Sequence, residues 1–472
     1  MKNSFPYLRC SLLLWILLPG LAHAQSWTLS WSDEFNGSAN SAIDATKWQY
    51  ETGILNVNDE VEYYCSPGSS TSPCSASTPN AYIDGNGHLV IQAIEINSSI
   101  APYSASWTSA RLNTANNLAS FKYGRIESSM QLPIGPGLWP AFWALGTDIT
   151  TVGWPASGET DFMENVPASS GLGPGAIRST LHGPGYSGGN GLGQSYNFPN
   201  GGQVNTAFHT YGAIWSPNMI QFYVDDPSKV FFVRTASDIP AGTAWPFNAN
   251  SFLLLNLAVG GTGSWPGPPD STTPNPAVML VDYVRAYTPS AVAGPTITGP
   301  SINVTAGQVG TSTVSLNSAA GTGRVYLSCT TTAPQATCSI ASTDSLNSHT
   351  VDFSNSATGT ATVSVTTTAN TAGLLGIPKS GFTLTSVLAG AFIAFGLVLV
   401  PTKSERRLRQ GIAGTGLICI LMMFPTCGGT TSGGGGGTGN GPGNFNITVN
   451  AYTVSNTSGL PDSTANIALK VN

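Results

Sequence analysis

Charge is scarce in this chain. Only 8% of its 472 residues are Asp, Glu, Lys or Arg, and 23 acids against 17 bases leave a net charge of −6. Apart from one short loop, "KSERRLRQ" at 403–410, there is no basic tract, which argues against nucleic acid as a partner. Helical periodicity is also lacking: between 27 and 288 no stretch repeats apolar residues at the 3.6-residue spacing of an amphipathic helix. What takes its place is turn chemistry. The 55 glycines and 32 prolines, with abundant Ser and Thr, favour an all-β protein.

The N-terminus has the layout of an export signal. Lys2 and Arg9 precede the apolar run "CSLLLWILL" (10–18), and "AHA" (22–24) supplies small residues for cleavage. The run is shorter than the ~20 residues a membrane span needs. Residues 1–24 are therefore expected to be a signal peptide, with the mature chain starting near Gln25. Of the seven cysteines, Cys10 leaves with it. Cys65 and Cys74 bracket one small loop, Cys329 and Cys338 another, and in an oxidising compartment each pair is expected to form a disulfide. Cys419 and Cys427 are expected to stay free.

Residues 25–288 read as one large β domain. Short runs such as "HLVIQAI", "YGRIESSMQL", "AIRSTLH", "IQFYVDD", "FLLLNLAV" and "VMLVDYVRAY" alternate with turn clusters such as "DGNG" and "GTGSWPGPPD", the pattern of a sandwich or barrel. A linker is expected at 289–295. Residues 296–370 are richer in Ser, Thr, Val and Ala, and their short alternating strands resemble an immunoglobulin-like sandwich. The run 381–400 carries no charge and is long enough to span a bilayer; 411–426 is a second, weaker candidate. The basic loop 403–410 between them fits a transmembrane hairpin with its turn in the cytoplasm. A glycine-rich spacer, 428–443, follows, and strand patterns return over 444–472, where they could complete the immunoglobulin-like domain.

Against this uncharged background, "GETDFMENV" (158–166) holds three acids in six residues. Glu159 and Asp161 share one face of a strand, because side chains alternate with period two. Glu164 would fall on the opposite face unless a β-bulge at Phe162–Met163 brought it back. Glycosidic cleavage needs two carboxyl groups, one at the anomeric carbon and one to protonate the leaving oxygen, about 5–5.5 Å apart in retaining enzymes. Once bulged, positions 159 and 164 lie four strand steps apart, ~13 Å of backbone at ~3.3 Å per residue, so their long side chains must lean together over Asp161. Retention is then the natural outcome, with Asp161 helping to hold the acid's proton by like-charge repulsion. Trp139, Trp143 and Trp154 flank the acids and could stack on sugar rings, and His182 in "STLHG" is a candidate neighbour.

The segments "WSDEFNG", "KYGRIESSMQLPIGPGLWPAFWALG", "WPASGETDFMENV", "STLHG", "LLLNLAVGG", "WPGPPD" and "DYVRAY" occur in order over roughly 27–288. Together they resemble glycoside hydrolase family 16 in its bacterial laminarinase-like branch, whose motif is Glu-x-Asp-x-x-Glu. The resemblance implies a jelly-roll β-sandwich with an open cleft. It implies Glu159 as nucleophile, Glu164 as acid/base and Asp161 as their partner, with Asn58, Arg111, Trp139, Trp143 and His182 as sugar-subsite residues. It requires no cofactor and allows a structural calcium near Glu34 and Asp282. Thr160 stands where the family usually has an aliphatic residue, a difference expected to touch packing more than chemistry. The expected protein is thus a monomeric, membrane-tethered, extracytoplasmic endo-β-1,3-glucanase. Mixed-linkage glucan or a galactan is the alternative substrate, and a non-catalytic glucan-binding or adhesin protein the alternative role.

Overall fold

The computed structural model describes residues 25–100, 105–369 and 439–472. The expected signal peptide, both apolar runs, the basic loop, Cys419, Cys427 and most of the glycine-rich spacer lie outside the described residues. Among the described residues no helix is long and apolar enough to cross a membrane. They form an all-β structure whose one α-helical turn is Ile149–Val152.

Two sheets, of ten and seven strands, make the first sandwich. Their inward faces meet in a core that takes Ile126 and Met130 from one side and Phe142, Phe162, Met163, Leu253, Leu255 and Leu257 from the other. The seven-stranded sheet runs in the order Leu192–Asn197, Ala176–His182, Glu159–Glu164, Leu138–Gly146, Ser251–Val259, Arg111–Asn113, Gln49–Glu51. With Leu253, Leu255, Leu257 and Val259 committed to the core, Leu254, Asn256 and Ala258 point to the sheet's other face. That face carries the polar and aromatic side chains described below. Cys65–Cys74 (Cα–Cα 5.7 Å) and Cys329–Cys338 (Cα–Cα 5.9 Å) are disulfides, as their spacing suggests.

The ten-stranded sheet is buried on both faces at one end. In Met219–Val224, Ile220, Phe222 and Val224 enter the main core, while Met219 and Tyr223 pack with Ile214 and Val233 against Tyr326 and Val454. Those last two residues belong to a second sandwich, of four and five strands. Its five-stranded sheet is assembled from distant parts of the chain. Gly443–Tyr452 pairs antiparallel with Arg324–Thr331 and with Ser463–Val471, which pairs in parallel with Ile302–Val304. Where the chain leaves and re-enters the described region, Thr368 and Asn440 exchange two hydrogen bonds: the Asn440 amide donates to the Thr368 carbonyl (3.1 Å), and Asn440 Oδ1 accepts from the Thr368 amide (2.7 Å). The expected linker is bonded on both sides: Ser290 N donates to Ser26 O (2.8 Å) and Val292 N to Ser455 Oγ (3.1 Å).

Candidate active site

The three acids stand on a strand whose pairing is shifted by one residue. Across from it, Asp161 pairs with Trp143, but Met163 pairs with Phe142, so Phe162 is the extra residue. The other neighbour shows the same shift between Asp161 and Glu164. The bulge is held from inside: Phe162 stacks on Phe142 (4.7 Å), its carbonyl accepts from Ser179 Oγ (2.7 Å), and Met163 is fully buried. Two apolar residues thus point at the core in succession, and Glu164 returns to the face of Glu159 and Asp161.

On that face the acids have aromatic and imidazole partners. Trp154 Nε1 donates to Glu159 Oε2 (2.7 Å) and Trp139 Nε1 to Glu164 Oε1 (3.0 Å). His182, opposite Glu159 on the next strand, places Nε2 3.1 Å from Asp161 Oδ2 and 3.8 Å from Glu159 Oε1. The side chain of Asp161 is only 4% exposed and that of Glu159 17%, while half of Trp154 faces solvent. The site is therefore a dry floor below an open aromatic rim.

Burial and crowding raise all three carboxyl groups. Glu159 is pushed up to about 8, by burial first and then by Asp161; His182 and the Trp154 N–H pull it back. Asp161 is also pushed up to about 8 by burial, although its hydrogen bond with Glu159 and the charge of Arg178 favour its anion. Glu164 is raised well above the carboxylate range by burial and by both acid neighbours. Glu159 has the better support for its anion, and Glu164 keeps its proton. Glu159, Asp161 and His182 also offer ligand atoms within 4.8 Å of one another, a set that could hold a cation.

The other expected site residues divide. Trp143, in register with Asp161, donates from Nε1 to Asn256 Oδ1 (2.8 Å), and the Arg111 guanidinium lies 4.7 Å from its ring centre. Asn58 does not touch the acids. It lies in an exposed turn and donates to Glu60 Oε1 (3.1 Å). Glu34 is likewise away from them, with both carboxylate oxygens on Arg285 (3.0 and 2.7 Å). Asp282 sits at a pairing shift in Ala277–Pro289. Thr160 is buried beside the acids. Several residues at the site were not expected from the sequence. Trp265 packs edge-on against Trp139 (5.6 Å), Glu51 holds Arg111 (2.7 Å), and Asn256 holds Trp143. Asn256 carries a sequence signal, as the lone amide inside "FLLLNLAV", and Trp265 opens the segment "WPGPPD".

Residues 73–283 match the model of Glycosyl hydrolases family 16. The chain is 37% identical to a beta-glucanase of Rhodothermus marinus over 275 residues, 56% of this chain and 86% of the relative. It is 36% identical to glucan endo-1,3-beta-glucosidase A1 of Niallia circulans over 55% of this chain, but spans only 37% of that relative's length. Among solved structures, the catalytic domain of an endo-1,3-beta-glucanase (laminarinase) from Thermotoga petrophila is 36% identical. The match has a TM-score of 0.50 and covers 57% of this chain and 100% of that one. The Rhodothermus relative is matched over most of its length, and the family model spans the acids, the bulge and His182. This chain belongs to glycosyl hydrolase family 16.

Proposed function

We propose that the protein is a retaining endo-glycoside hydrolase that cleaves internal β-1,3 linkages of β-glucan. The observation that carries this reading is the bulged strand that puts Glu159, Asp161 and Glu164 on one open, aromatic-lined face. Glu159 attacks the anomeric carbon while Glu164 gives its proton to the departing glycosidic oxygen. The C–O bond breaks, and a covalent glycosyl ester forms on Glu159. Water then attacks the same carbon, Glu164 takes its proton, and Glu159 is released as carboxylate. Asp161 takes up the proton that Glu159 must lose before attack, and its raised affinity for that proton lets Glu159 ionise. Trp139 and Trp154 orient the two glutamates through their N–H groups while exposing ring surface to the sugar.

Every step falls to side chains of this chain. A calcium ion at Glu34 would have to displace Arg285, which already neutralises that carboxylate, so Glu34 as placed does not fit calcium and no step runs through one. We further read 296–369 with 444–472 as one immunoglobulin-like domain, interrupted by a membrane hairpin over 381–426. On this reading the enzyme is exported, monomeric and membrane-tethered, with the first domain outside the cytoplasm.

Pure β-1,3-glucan, mixed-linkage β-glucan and β-galactan, digested in parallel, test the substrate. Rapid release of short oligosaccharides from the β-1,3-glucan is expected. Preferential release from galactan would overturn the β-glucan assignment, and binding without release from any polymer would favour the non-catalytic role. NMR during early turnover should show the β anomer first; an α anomer would overturn retention.

A further inference from the structure

We propose that Asn256 and Tyr64 are positioning residues that fix the Trp143 indole, anchoring it to the turn at Asn58–Glu60. The proposal rests on the glucanase reading above. Asn256 interrupts the apolar strand Ser251–Val259, where every residue after Ser251 is buried. A buried amide costs stability unless both ends are hydrogen-bonded. Here Oδ1 accepts from Trp143 Nε1 (2.8 Å), and Nδ2 donates to the Tyr64 hydroxyl (3.2 Å). Tyr64, fully buried, donates onward to Glu60 Oε2 (3.4 Å), and Glu60 Oε1 accepts from Asn58 Nδ2 (3.1 Å). Five residues from three segments thus form one relay that ends at a residue of the open face.

The far side of the ring is held as well. Arg111 lies over Trp143 at 4.7 Å, its Nε is 2.7 Å from Glu51 Oε2, and Asn113 Nδ2 donates to Glu51 Oε1 (2.7 Å). An indole whose N–H lacked an internal acceptor would turn toward water or a sugar hydroxyl. With Asn256 taking that bond, the ring stays in one rotamer before substrate arrives, which lowers the cost of ordering on binding. Burial, reinforced by the charges of Glu62 and Glu60, holds Tyr64 in its protonated form, so the relay keeps its donor. Asp59 anchors the turn itself. Its carbonyl accepts from Gly261 N (2.8 Å), and a Cβ on Gly263 would collide with its carboxylate.

The test is a double-mutant cycle on soluble β-1,3-glucan. Asn256→Leu, close in volume, should raise KM about tenfold while kcat changes less than about threefold, the split expected when binding rather than chemistry is lost. In a Trp143→Ala background the same substitution should add less than about twofold, because its effect passes through the ring. Tyr64→Phe should show the same dependence with a KM rise of about two- to threefold, and it carries the cycle if Asn256→Leu fails to fold. An unchanged KM, a loss confined to kcat, or an equal loss with and without Trp143 overturns the proposal. A wild-type protein that leaves β-glucan intact overturns the glucanase reading instead.

Discussion

The strands Glu159–Glu164 and Arg324–Thr331 both bury ionisable side chains, but with opposite accounting of charge. On the first, three acids face one another with a single imidazole in reach, and all three carboxyl groups are pushed up. On the second, Arg324 is 6% exposed and meets Asp344 (2.6 Å), Asp352 (2.8 Å) and the side-chain Oε1 of Gln221 (3.2 Å). Burial pushes Asp344 up, yet the hydrogen bond and charge of Arg324, with a bond from Thr350, bring it below its ordinary value. Like charges left unneutralised hold protons ready for transfer. Opposite charges brought together hold two pieces of chain in place, here the second sandwich and, through Gln221, the ten-stranded sheet. The contrast tells a working site from a structural joint without reference to residue type, since Asp occurs in both.

Breaking the first cluster should abolish turnover. Glu159→Gln keeps the side chain's shape and removes the proposed nucleophile, so kcat on β-1,3-glucan should fall on the order of 10³-fold or more. Glucan affinity should persist, and Glu164→Gln should be milder on aryl glycosides whose leaving group needs no proton. Reducing-sugar assays read both, and near-normal hydrolysis by Glu159→Gln would remove the basis for the whole comparison.

Breaking the second cluster should instead cost stability. Arg324→Ala leaves Asp344 buried without its cation, and losing one partner of a buried pair costs about 3 kcal/mol. Thermal unfolding should show the loss while kcat of the remaining folded protein stays near wild type. The joint also includes Tyr326 OH with Ser237 Oγ (3.0 Å) and Asn347 Nδ2 with Asp238 Oδ2 (2.5 Å). An unchanged melting temperature for Arg324→Ala would mean that the apolar contacts of Tyr326 and Val454 alone hold the sandwiches together.

The two clusters differ in how far the sequence reveals them. Acids at 159, 161 and 164 cannot share a strand face with regular period two, and the mismatch points to the place where the pairing register shifts. Trp139 and Trp143 sit close enough in sequence to be placed with them. Arg324, Asp344 and Gln221 offer no such local pattern: Asp344 lies 20 residues from Arg324, and Gln221 lies 103 residues away on a strand of the other sandwich. "IQFYVDD" reads as a strand with one polar face; alternation says which residues point outward but not that Tyr326 and Val454 will cover them. Asn256 is visible as an anomaly in an apolar run, but Trp143 and Tyr64, which satisfy it, are known only once the strands are paired.

The smallest effect is the one that separates charge from packing. Glu159 and Asp161 are pushed up to about 8, whereas unfolded carboxyl groups titrate near ~4. Below about pH 4 both states hold their protons and the cluster costs nothing. Between about 4 and 8 the unfolded chain has released protons that the folded chain retains, so stability falls as pH rises. Glu159→Gln removes that group's share and one of the charges that raise Glu164. Its melting temperature should therefore exceed wild type by about 2–4 °C at pH 8, with the gap closing toward pH 4. The joint has the reverse sign: with Asp344 held low, its contribution is full above about pH 4 and is lost as pH falls through its lowered pKa, so the deficit of Arg324→Ala should shrink in acid. Scanning calorimetry of both variants from about pH 2 to 8 reads the acid strand's slope above pH 4 and the joint's slope below it. A Glu159→Gln gain as large at pH 4 as at pH 8 would assign the effect to packing, and the like-charge account of the acid strand would fail.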